Sequence, residues 1–238
     1  INELTHLEIF DIMSCKLKSI PESIGDLKNL KKLNLEINNI NKIPETIGNL
    51  TNLVELVLND NKLTKLPDSI NNLSNLITLK CNKNNLSSLP KKMDKMDNLS
   101  VLRLHFNKLK KIPDSICNLK SLKILSCDKN NISKISKNIG KLELLDILEL
   151  KRNKLKTLPN SLSKLKNLTI LECQENEFTE IPKCVSGLKN LEILDFSFNK
   201  IKKLPLFLFK YKKLFSLQID SNDITEIPKE ISKLKKLN

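Results

Sequence analysis

Two groups of residues in this sequence have side chains that could do chemistry. His105, Cys127 and Asp128 are the types that supply a general base, a nucleophile and an orienting carboxylate. Glu149 and Glu172 could form the pair of carboxylates with which glycosidases hydrolyse their substrates. Either group works only if the fold brings its side chains together, so the elements that hold these residues have to be established first.

Those elements form a repeat with a period of 23 residues. Leucine stands at every 23rd position from residue 7 to residue 237, which gives ten complete repeats between Leu7 and Lys236. Counted from that leucine, position 9 is asparagine in every repeat except the first, where Cys15 replaces it. Position 15 holds all nine prolines of the chain, and Ser136 is the one exception. The unit reads L-x-x-L-x-L-x-x-N-x-L-x-x-L-P-x-x-I-x-x-L-x-x.

This unit resembles the leucine-rich repeat, and the resemblance covers nearly the whole chain. It implies an α/β solenoid: a right-handed horseshoe with a parallel β-sheet on the concave side and 3₁₀ or short helical turns on the convex side. We expect a single domain over residues 1–238, with a partial repeat at each end, as a fragment of a longer protein. The repeat length and the L-P-x-x-I half resemble an intracellular subgroup that includes Shoc2-like Ras-pathway scaffolds, LAP-family polarity scaffolds and plant Ras-group proteins.

The recurring positions also have physical reasons. Positions 4 and 6 flank one residue, so both point to the same face of a short strand, where their leucines form a continuous core. Asparagine at position 9 ends the strand and satisfies backbone groups at the turn, and proline at position 15 opens a helical turn. One repeat cannot bury its own apolar face, so stacking supplies the stability. Ten strands at about 4.8 Å would span roughly 48 Å.

The cysteines predict a reducing environment. Cys81, Cys127 and Cys173 stand at position 6 of alternate repeats, so we expect buried free thiols that lie too far apart for a disulfide. Secreted leucine-rich repeats usually carry cysteine-rich caps, and none is visible in this sequence. We therefore predict cytoplasmic localisation.

The same geometry separates the candidate catalytic residues. Cys127 points into the core, whereas His105 at position 7 points outwards, so no Cys–His pair is expected. Glu149 and Glu172 share position 5 on neighbouring strands, about 5 Å apart, but Lys151 lies nearby and an ion-pair lattice is expected instead of a catalytic pocket. Two histidines disfavour a histidine-ligated metal site. The sequence predicts a non-enzyme with no catalytic residue, no metal, no cofactor and no small-molecule substrate.

The net charge of +14 invites a nucleic-acid interpretation, but its distribution argues against one. The concave positions 3, 5, 7 and 8 carry seven basic and ten acidic residues, so the concave face is net negative. The positive charge lies on one flank, at positions 10, 12 and 13, without the interleaved aromatic residues that stack on bases. This lysine flank consists of Lys16, Lys18, Lys42, Lys62, Lys65, Lys108, Lys110, Lys111, Lys134, Lys154, Lys156, Lys200, Lys202 and Lys203. It either keeps the solenoid soluble or contacts an anionic membrane surface or an acidic protein.

The concave face has the pattern of a protein-binding surface. Position 3 is an apolar stripe, and position 5 beside it changes from basic to acidic along the stack. Isoleucine and valine at position 3 also suit strands on β-propensity alone. The predicted partner-binding residues are Lys80, Arg103, His105, Phe106, Ile124, Asp128, Ile147, Glu149, Lys151, Arg152, Ile170, Glu172, Ile193, Asp195 and Phe198.

The ninth repeat is irregular. Leu206, Phe207 and Phe209 occupy convex positions that are polar elsewhere, and Tyr211 replaces a core leucine. Either the convex core is locally larger, or the patch docks a cap, a following domain or a second copy.

These observations lead to two functional hypotheses. The first is a non-catalytic scaffold that binds a protein partner on its concave face in intracellular signalling; the subgroup resemblance implies a small GTPase or a phosphatase as partner. The second is a regulatory or targeting module of a multidomain enzyme, such as a kinase, phosphatase, cyclase or GTPase, whose lysine flank contacts an anionic membrane or an acidic protein.

Overall fold

A computed structural model of the chain describes residues 3–234 and 236. Leu237, the last leucine of the period, lies outside the described residues. Positions 3 to 5 of each complete repeat form a strand of three residues, so position 6, which was expected on the same strand as position 4, lies directly after it. The ten strands are β1 (Ile9–Asp11), β2 (Lys32–Asn34), β3 (Glu55–Val57), β4 (Thr78–Lys80), β5 (Val101–Arg103), β7 (Ile124–Ser126), β9 (Ile147–Glu149), β10 (Ile170–Glu172), β11 (Ile193–Asp195) and β12 (Ser216–Gln218).

These strands form one parallel sheet in chain order. The register pairs equal positions of neighbouring repeats, so Leu102 of β5 lies opposite Leu125 of β7. Columns of identical positions therefore run the length of the sheet, which confirms the predicted solenoid. A second, two-stranded parallel sheet joins β6 (Lys111–Ile112) and β8 (Lys134–Ile135).

The core runs behind this sheet. In the middle of the stack the position-4 and position-6 side chains, such as Leu102 and Leu104, are fully buried. Cys81, Cys127 and Cys173 are free thiols with no exposed surface, as expected for position 6. Burial raises the pKa of each of these thiols well above its usual value.

On the convex side the chain returns through 3₁₀ helices. The prolines at position 15 that precede the five-residue helices are extended, with Pro44 at φ −68° and ψ 153°, so each fixes the entry to the turn without occupying it. In the repeat that contains Pro90 the described residues form turns instead. The 3₁₀ helices are Glu22–Asp26, Glu45–Asn49, Asp68–Asn72, Ile116–Asn118, Ile139–Lys141, Asn160–Lys164, Lys183–Gly187, Leu206–Lys210 and Lys229–Lys233.

Asparagine at position 9 ties neighbouring repeats together. The Asn107 amide donates to the carbonyls of Cys81 at 2.9 Å and Leu104 at 3.0 Å, and its Oδ1 accepts from the backbone N–H of Leu86 at 2.9 Å. Equivalent bonds recur along the stack, for example at Asn153. Each ladder residue thus satisfies backbone groups of two repeats at once, as the sequence predicts.

The residue before each ladder position has a left-handed backbone. Position 8 has a φ between 49° and 62° in all ten complete repeats, although none of these residues is glycine. The Asn107 amide also reaches the carbonyl of His105 at 3.4 Å, so the ladder side chain closes a loop around Phe106 and holds it in this conformation.

The proline exception has a local explanation. The Ser136 N–H donates to the carbonyl of Ile112 at 3.0 Å, and its hydroxyl donates to Asp114, which also accepts from the Asn138 amide at 3.0 Å. Proline could make neither bond. Ser136 therefore anchors the small second sheet in place of the usual proline turn.

Candidate partner-binding surface

The concave surface consists of positions 3, 5, 7 and 8, because positions 4 and 6 turn inwards. Position 3 contributes four isoleucines that lie opposite one another on β7, β9, β10 and β11. All four are half-buried by their neighbours. The apolar stripe is therefore continuous but partly covered, and the sheet accounts for some of its isoleucine content. Its residues are Ile124, Ile147, Ile170 and Ile193.

An acidic column runs beside this stripe. It consists of Glu149, Glu172 and Asp195, at position 5 of β9, β10 and β11, together with Asp128, which follows β7 at position 7. Burial and the neighbouring Glu149 charge raise the pKa of Asp128 to about 7, against the 2.8 Å bond that it accepts from the backbone N–H of Lys151. Burial is also the main cause of the raised pKa of Glu172, to which Glu149 and Asp195 add.

The expected ion-pair lattice around Glu149 and Glu172 is not what the structure contains. Lys151 and Arg152 instead turn to Glu175, with Nζ 3.8 Å and Nε 2.5 Å from its carboxylate oxygens. Among the described ion pairs, none includes Glu149 or Glu172. The reason is that Glu175, at position 8, competes successfully for both cations.

The basic half of the concave face is better compensated. Lys80 lies 2.9 Å from Glu55, and Lys83 lies 2.9 Å from Asp60. Arg103 is half-buried, and its Nε has no hydrogen-bond partner. Along position 5 the charge therefore changes from the paired Lys80 and the unpaired Arg103 to carboxylates without an ion pair among the described residues.

Two exposed phenylalanines stand at position 8. Phe106 is 42% exposed and Phe198 is 56% exposed. Lys129 Nζ lies 3.9 Å above the Phe106 ring, and the His105 ring meets the same ring edge-on at 6.3 Å. The left-handed backbone at Phe106 and Phe198 was not predicted from the sequence, because the residues found at position 8 do not favour that conformation.

The candidate catalytic residues do not form a site. Cys127 lies in the core, whereas His105 is half-buried on the concave face, where burial lowers its pKa. No three histidine, cysteine, aspartate or glutamate side chains of the described segment gather into a group that could hold a metal ion. The chain as described also has no helix that is long and apolar enough to cross a bilayer.

All fourteen lysines of the lysine flank are exposed. Of the described ion pairs, one includes a residue of this flank, with Lys156 Nζ 3.6 Å from Glu177.

The irregular ninth repeat is divided between core and surface: Phe209 and Tyr211 are buried, and the Tyr211 hydroxyl donates to the carbonyl of Val185 at 2.6 Å. Leu206 remains 58% exposed.

A second row of asparagines, at position 23, was missed from the sequence. Each side-chain amide donates to a carbonyl of the preceding repeat, as Asn98 does to Ser74 at 3.0 Å. The recurrence of asparagine at this position was the available signal. The row consists of Asn29, Asn52, Asn75, Asn98, Asn167 and Asn190.

Two family descriptions match this sequence. "Leucine-rich repeat region" matches residues 1–113 and "Leucine Rich repeats (2 copies)" matches residues 166–208, which together span more than half of the chain. The chain is a leucine-rich repeat protein. No curated protein matches it significantly.

Solved structures agree with this assignment. A leucine-rich repeat protein of Leptospira interrogans is 34% identical, with a TM-score of 0.96, over 99% of this chain and 60% of its own. The PEPR1–AtPEP1 structure is 32% identical over 99% of this chain and 35% of its own, with a TM-score of 0.88. The ectodomain of the Arabidopsis thaliana receptor kinase GASSHO1/SCHENGEN3, in complex with CASPARIAN STRIP INTEGRITY FACTOR 2, is 25% identical over 99% of this chain and 35% of its own, with a TM-score of 0.72. This leucine-rich repeat protein thus spans less than two thirds of each of these proteins.

Proposed function

We propose that this leucine-rich repeat protein is a non-catalytic interaction module that binds a protein partner on its concave face. The observation that carries the proposal is the concave surface itself, on which an apolar stripe lies beside unpaired carboxylates and exposed phenylalanines. Aromatic anchors next to opposed charges are typical of interfaces in which a few residues dominate the binding energy. The similar ectodomain of GASSHO1/SCHENGEN3 was solved in complex with CASPARIAN STRIP INTEGRITY FACTOR 2, which supports a binding partner for this fold.

The setting of the interaction is part of the proposal. Buried free thiols are consistent with a reducing compartment, so we place the protein in the cytoplasm, in a signalling role. The resemblance to Ras-pathway scaffolds suggests a small GTPase or a phosphatase as the partner. The contact residues proposed are the fifteen predicted from the sequence, and Phe106, Ile147 and Arg152 are central among them.

The experiment is a pulldown from cell lysate with the wild-type chain and a quadruple concave variant. We expect the variant to lose the partner while its circular dichroism spectrum stays unchanged. The concave changes are Arg103→Glu, Phe106→Ala, Ile147→Asp and Arg152→Glu. A control with matched changes away from this face should keep the partner; its changes are Lys141→Glu, Leu206→Ala, Leu144→Asp and Lys189→Glu. Capture of the same proteins by wild type and concave variant would disprove concave binding.

A second candidate function rests on the lysine flank. Fourteen exposed lysines with one ion pair would attract an anionic membrane or an acidic protein, as a targeting module of a multidomain kinase, phosphatase, cyclase or GTPase would require. We expect cosedimentation with vesicles that contain 30% phosphatidylserine at about 50 mM salt and loss of binding at about 500 mM salt, because the Debye length shortens. Concave binding anchored by apolar groups should persist at the higher salt. No binding to these vesicles at the lower salt would rule out the membrane form of this function.

A further inference from the structure

We propose that the acidic column on the concave face is a subsite for two cationic side chains of an extended partner segment. This inference rests on the proposed function, because it names the chemistry of what the concave face would bind. Its ligand class is a stretch of polypeptide with two arginine or lysine residues on one side. The subsite is formed by Asp128, Glu149 and Glu172, and it ends at Asp195, which is buried and accepts hydrogen bonds from the N–H and the hydroxyl of Ser197.

The first argument is the charge that the chain leaves unpaired. The Glu149 carboxylate has no hydrogen bond or ion pair among the described interactions, and the Glu172 carboxylate accepts one long bond, 3.5 Å from the Gln174 amide. Lys151 and Arg152 are the nearest cations along the chain, but Glu175 holds both. The column therefore contains carboxylates that no cation of the described residues pairs with.

The second argument is independent of charge. Gln174 is nine-tenths buried, its Nε2 faces the Glu172 carboxylate, and its Oε1 has no hydrogen-bond partner. Ser126 is fully buried directly opposite Glu149, and its hydroxyl is also unpartnered. A buried polar atom without a partner costs free energy that a bound ligand can recover. The Gln174 oxygen needs a donor, which is what a guanidinium or ammonium group provides.

The third argument is the apolar stripe beside the column. Position 3 lies two residues before position 5 on the same strand face, about 7 Å away. Ile147 and Ile170 are therefore about one lysine or arginine side-chain length from Glu149 and Glu172. Long basic side chains lay their aliphatic stems on apolar surface and place the charged end beyond it. The stripe and the column together fit that shape.

Spacing gives the number of cations. Neighbouring strands are about 4.8 Å apart, so Glu149 and Asp195 are about 10 Å apart across β9 to β11. Alternate residues of an extended segment that runs along the sheet are about 6.8 Å apart. This distance lies between one strand spacing and two, so two flexible basic side chains separated by one residue can reach different carboxylates of the column, with an Arg-x-Arg pattern as the simplest form. The bidentate geometry of arginine favours it over lysine at paired carboxylates.

Burial and like charge support this reading of the column. They raise the pKa of Asp128 and of Glu172, as expected where buried carboxylates are crowded and the nearby Lys151 compensates them only in part. Bound cations would relieve that repulsion.

The test measures binding of a fluorescein-labelled Gly-Arg-Gly-Arg-Gly peptide by fluorescence anisotropy at about 150 mM salt, where long-range repulsion by the +14 chain is largely screened. We expect saturable binding to the wild type and at least tenfold weaker binding to the double variant Glu149→Gln/Glu172→Gln. The control variant Glu36→Gln/Asp220→Asn makes the same charge change on the concave face outside the column and should bind as the wild type does. A Gly-Glu-Gly-Glu-Gly peptide should not bind.

Three outcomes would overturn the inference. They are no binding to the wild type at millimolar peptide, equal binding to both double variants, and equal binding of a peptide in which the arginines are replaced by glutamine. The proposed function is tested separately by the pulldown. A partner that is lost with the quadruple concave variant but kept by Glu149→Gln/Glu172→Gln would leave concave binding intact and disprove the cationic subsite.

Discussion

At the scale of single residues, Asp128 is a carboxyl group whose ionised form is disfavoured by its position on the concave face. Asp128 is mostly buried, accepts one backbone N–H bond from Lys151, and faces the negative Glu149 and Glu172. Burial and like charge disfavour its ionised form, which raises its pKa from 3.8 to about 7. The folded state therefore keeps a proton that the unfolded chain would release.

This shift predicts how stability depends on pH. Between about pH 4 and pH 7 the folded state binds the Asp128 proton more tightly than the unfolded state does, so this residue makes stability fall as the pH rises through that window. Asp128→Asn keeps the oxygen that accepts from Lys151 and removes the charge. We expect it to raise the free energy of unfolding by up to about 4 kcal/mol at pH 8 and by much less at pH 4. Urea denaturation at both pH values measures this, and a gain that is equal at both would contradict it.

The placement of a side chain could be predicted where the repeat determines it. Its pairing could not be predicted where several neighbours compete for the same contact. The inward positions and the buried Cys81, Cys127 and Cys173 followed from strand alternation alone. The pairing of Lys151 and Arg152 with Glu175 did not, because several carboxylates lie within reach and only side-chain packing selects one. The fifteen proposed contact residues remain a prediction.

At the scale of the elements, the asparagine ladder adds buried side-chain hydrogen bonds between neighbouring repeats to those of the sheet. Asn107→Ala would leave the N–H of Leu86 and the carbonyl of Cys81 without their partners in the interior. We expect it to lower the free energy of unfolding by roughly 2–4 kcal/mol. The matched control is Asn98→Ala, which removes one exposed bond to Ser74 and should cost less than about 1 kcal/mol. Chemical denaturation of both variants tests the difference. Equal losses in the free energy of unfolding would mean that the buried ladder bonds stabilise the chain no more than the exposed bonds do.

The proline exception gives a second prediction for the elements. Ser136→Pro restores the repeat pattern but removes the N–H that bonds to Ile112 and the hydroxyl that bonds to Asp114. We expect it to destabilise the chain by about 1–3 kcal/mol. Ser136→Ala, which keeps the N–H, should cost less. A stabilised Ser136→Pro in thermal unfolding would show that the proline turn outweighs both bonds.

Element boundaries were predictable because the period is regular, and the irregular places were not. The strands include position 4 and most 3₁₀ turns follow the prolines, as the repeat predicts, although position 6 lies outside the strands. The small sheet of β6 and β8 and the turns after Pro90 were missed, since each depends on contacts specific to one repeat. The division of the ninth repeat, with Tyr211 buried and Leu206 exposed, likewise required the packed structure.

At the scale of the whole molecule, charge is distributed unevenly between the faces. The concave face is net negative, while the lysine flank carries exposed positive charge that is almost entirely unpaired. Such self-repulsion destabilises a compact state and is screened by salt. We expect the unfolding midpoint to rise by about 2–5 °C between 50 and 500 mM sodium chloride.

A control separates the flank from the rest of the charge. Lys108→Gln/Lys110→Gln/Lys111→Gln removes neighbouring flank charges and should weaken the salt dependence. A midpoint that falls as salt is added would show instead that ion pairs such as Lys80 with Glu55 dominate the electrostatic free energy.

The left-handed backbone at position 8 has a consequence for how this scaffold could change. Its ten residues include isoleucine, aspartate, lysine, phenylalanine, arginine, glutamate and serine, all with nearly the same φ. In nine of the ten repeats the loop around this residue is closed by bonds from the ladder asparagine to main-chain carbonyls, as at Asn107, so the displayed side chain takes no part in closing it; Cys15 replaces the asparagine in the first repeat. Position 8 of those nine repeats can therefore carry different side chains on the same loop. A protein engineer could therefore replace the side chain at position 8 of one repeat after another without altering the loops that carry them.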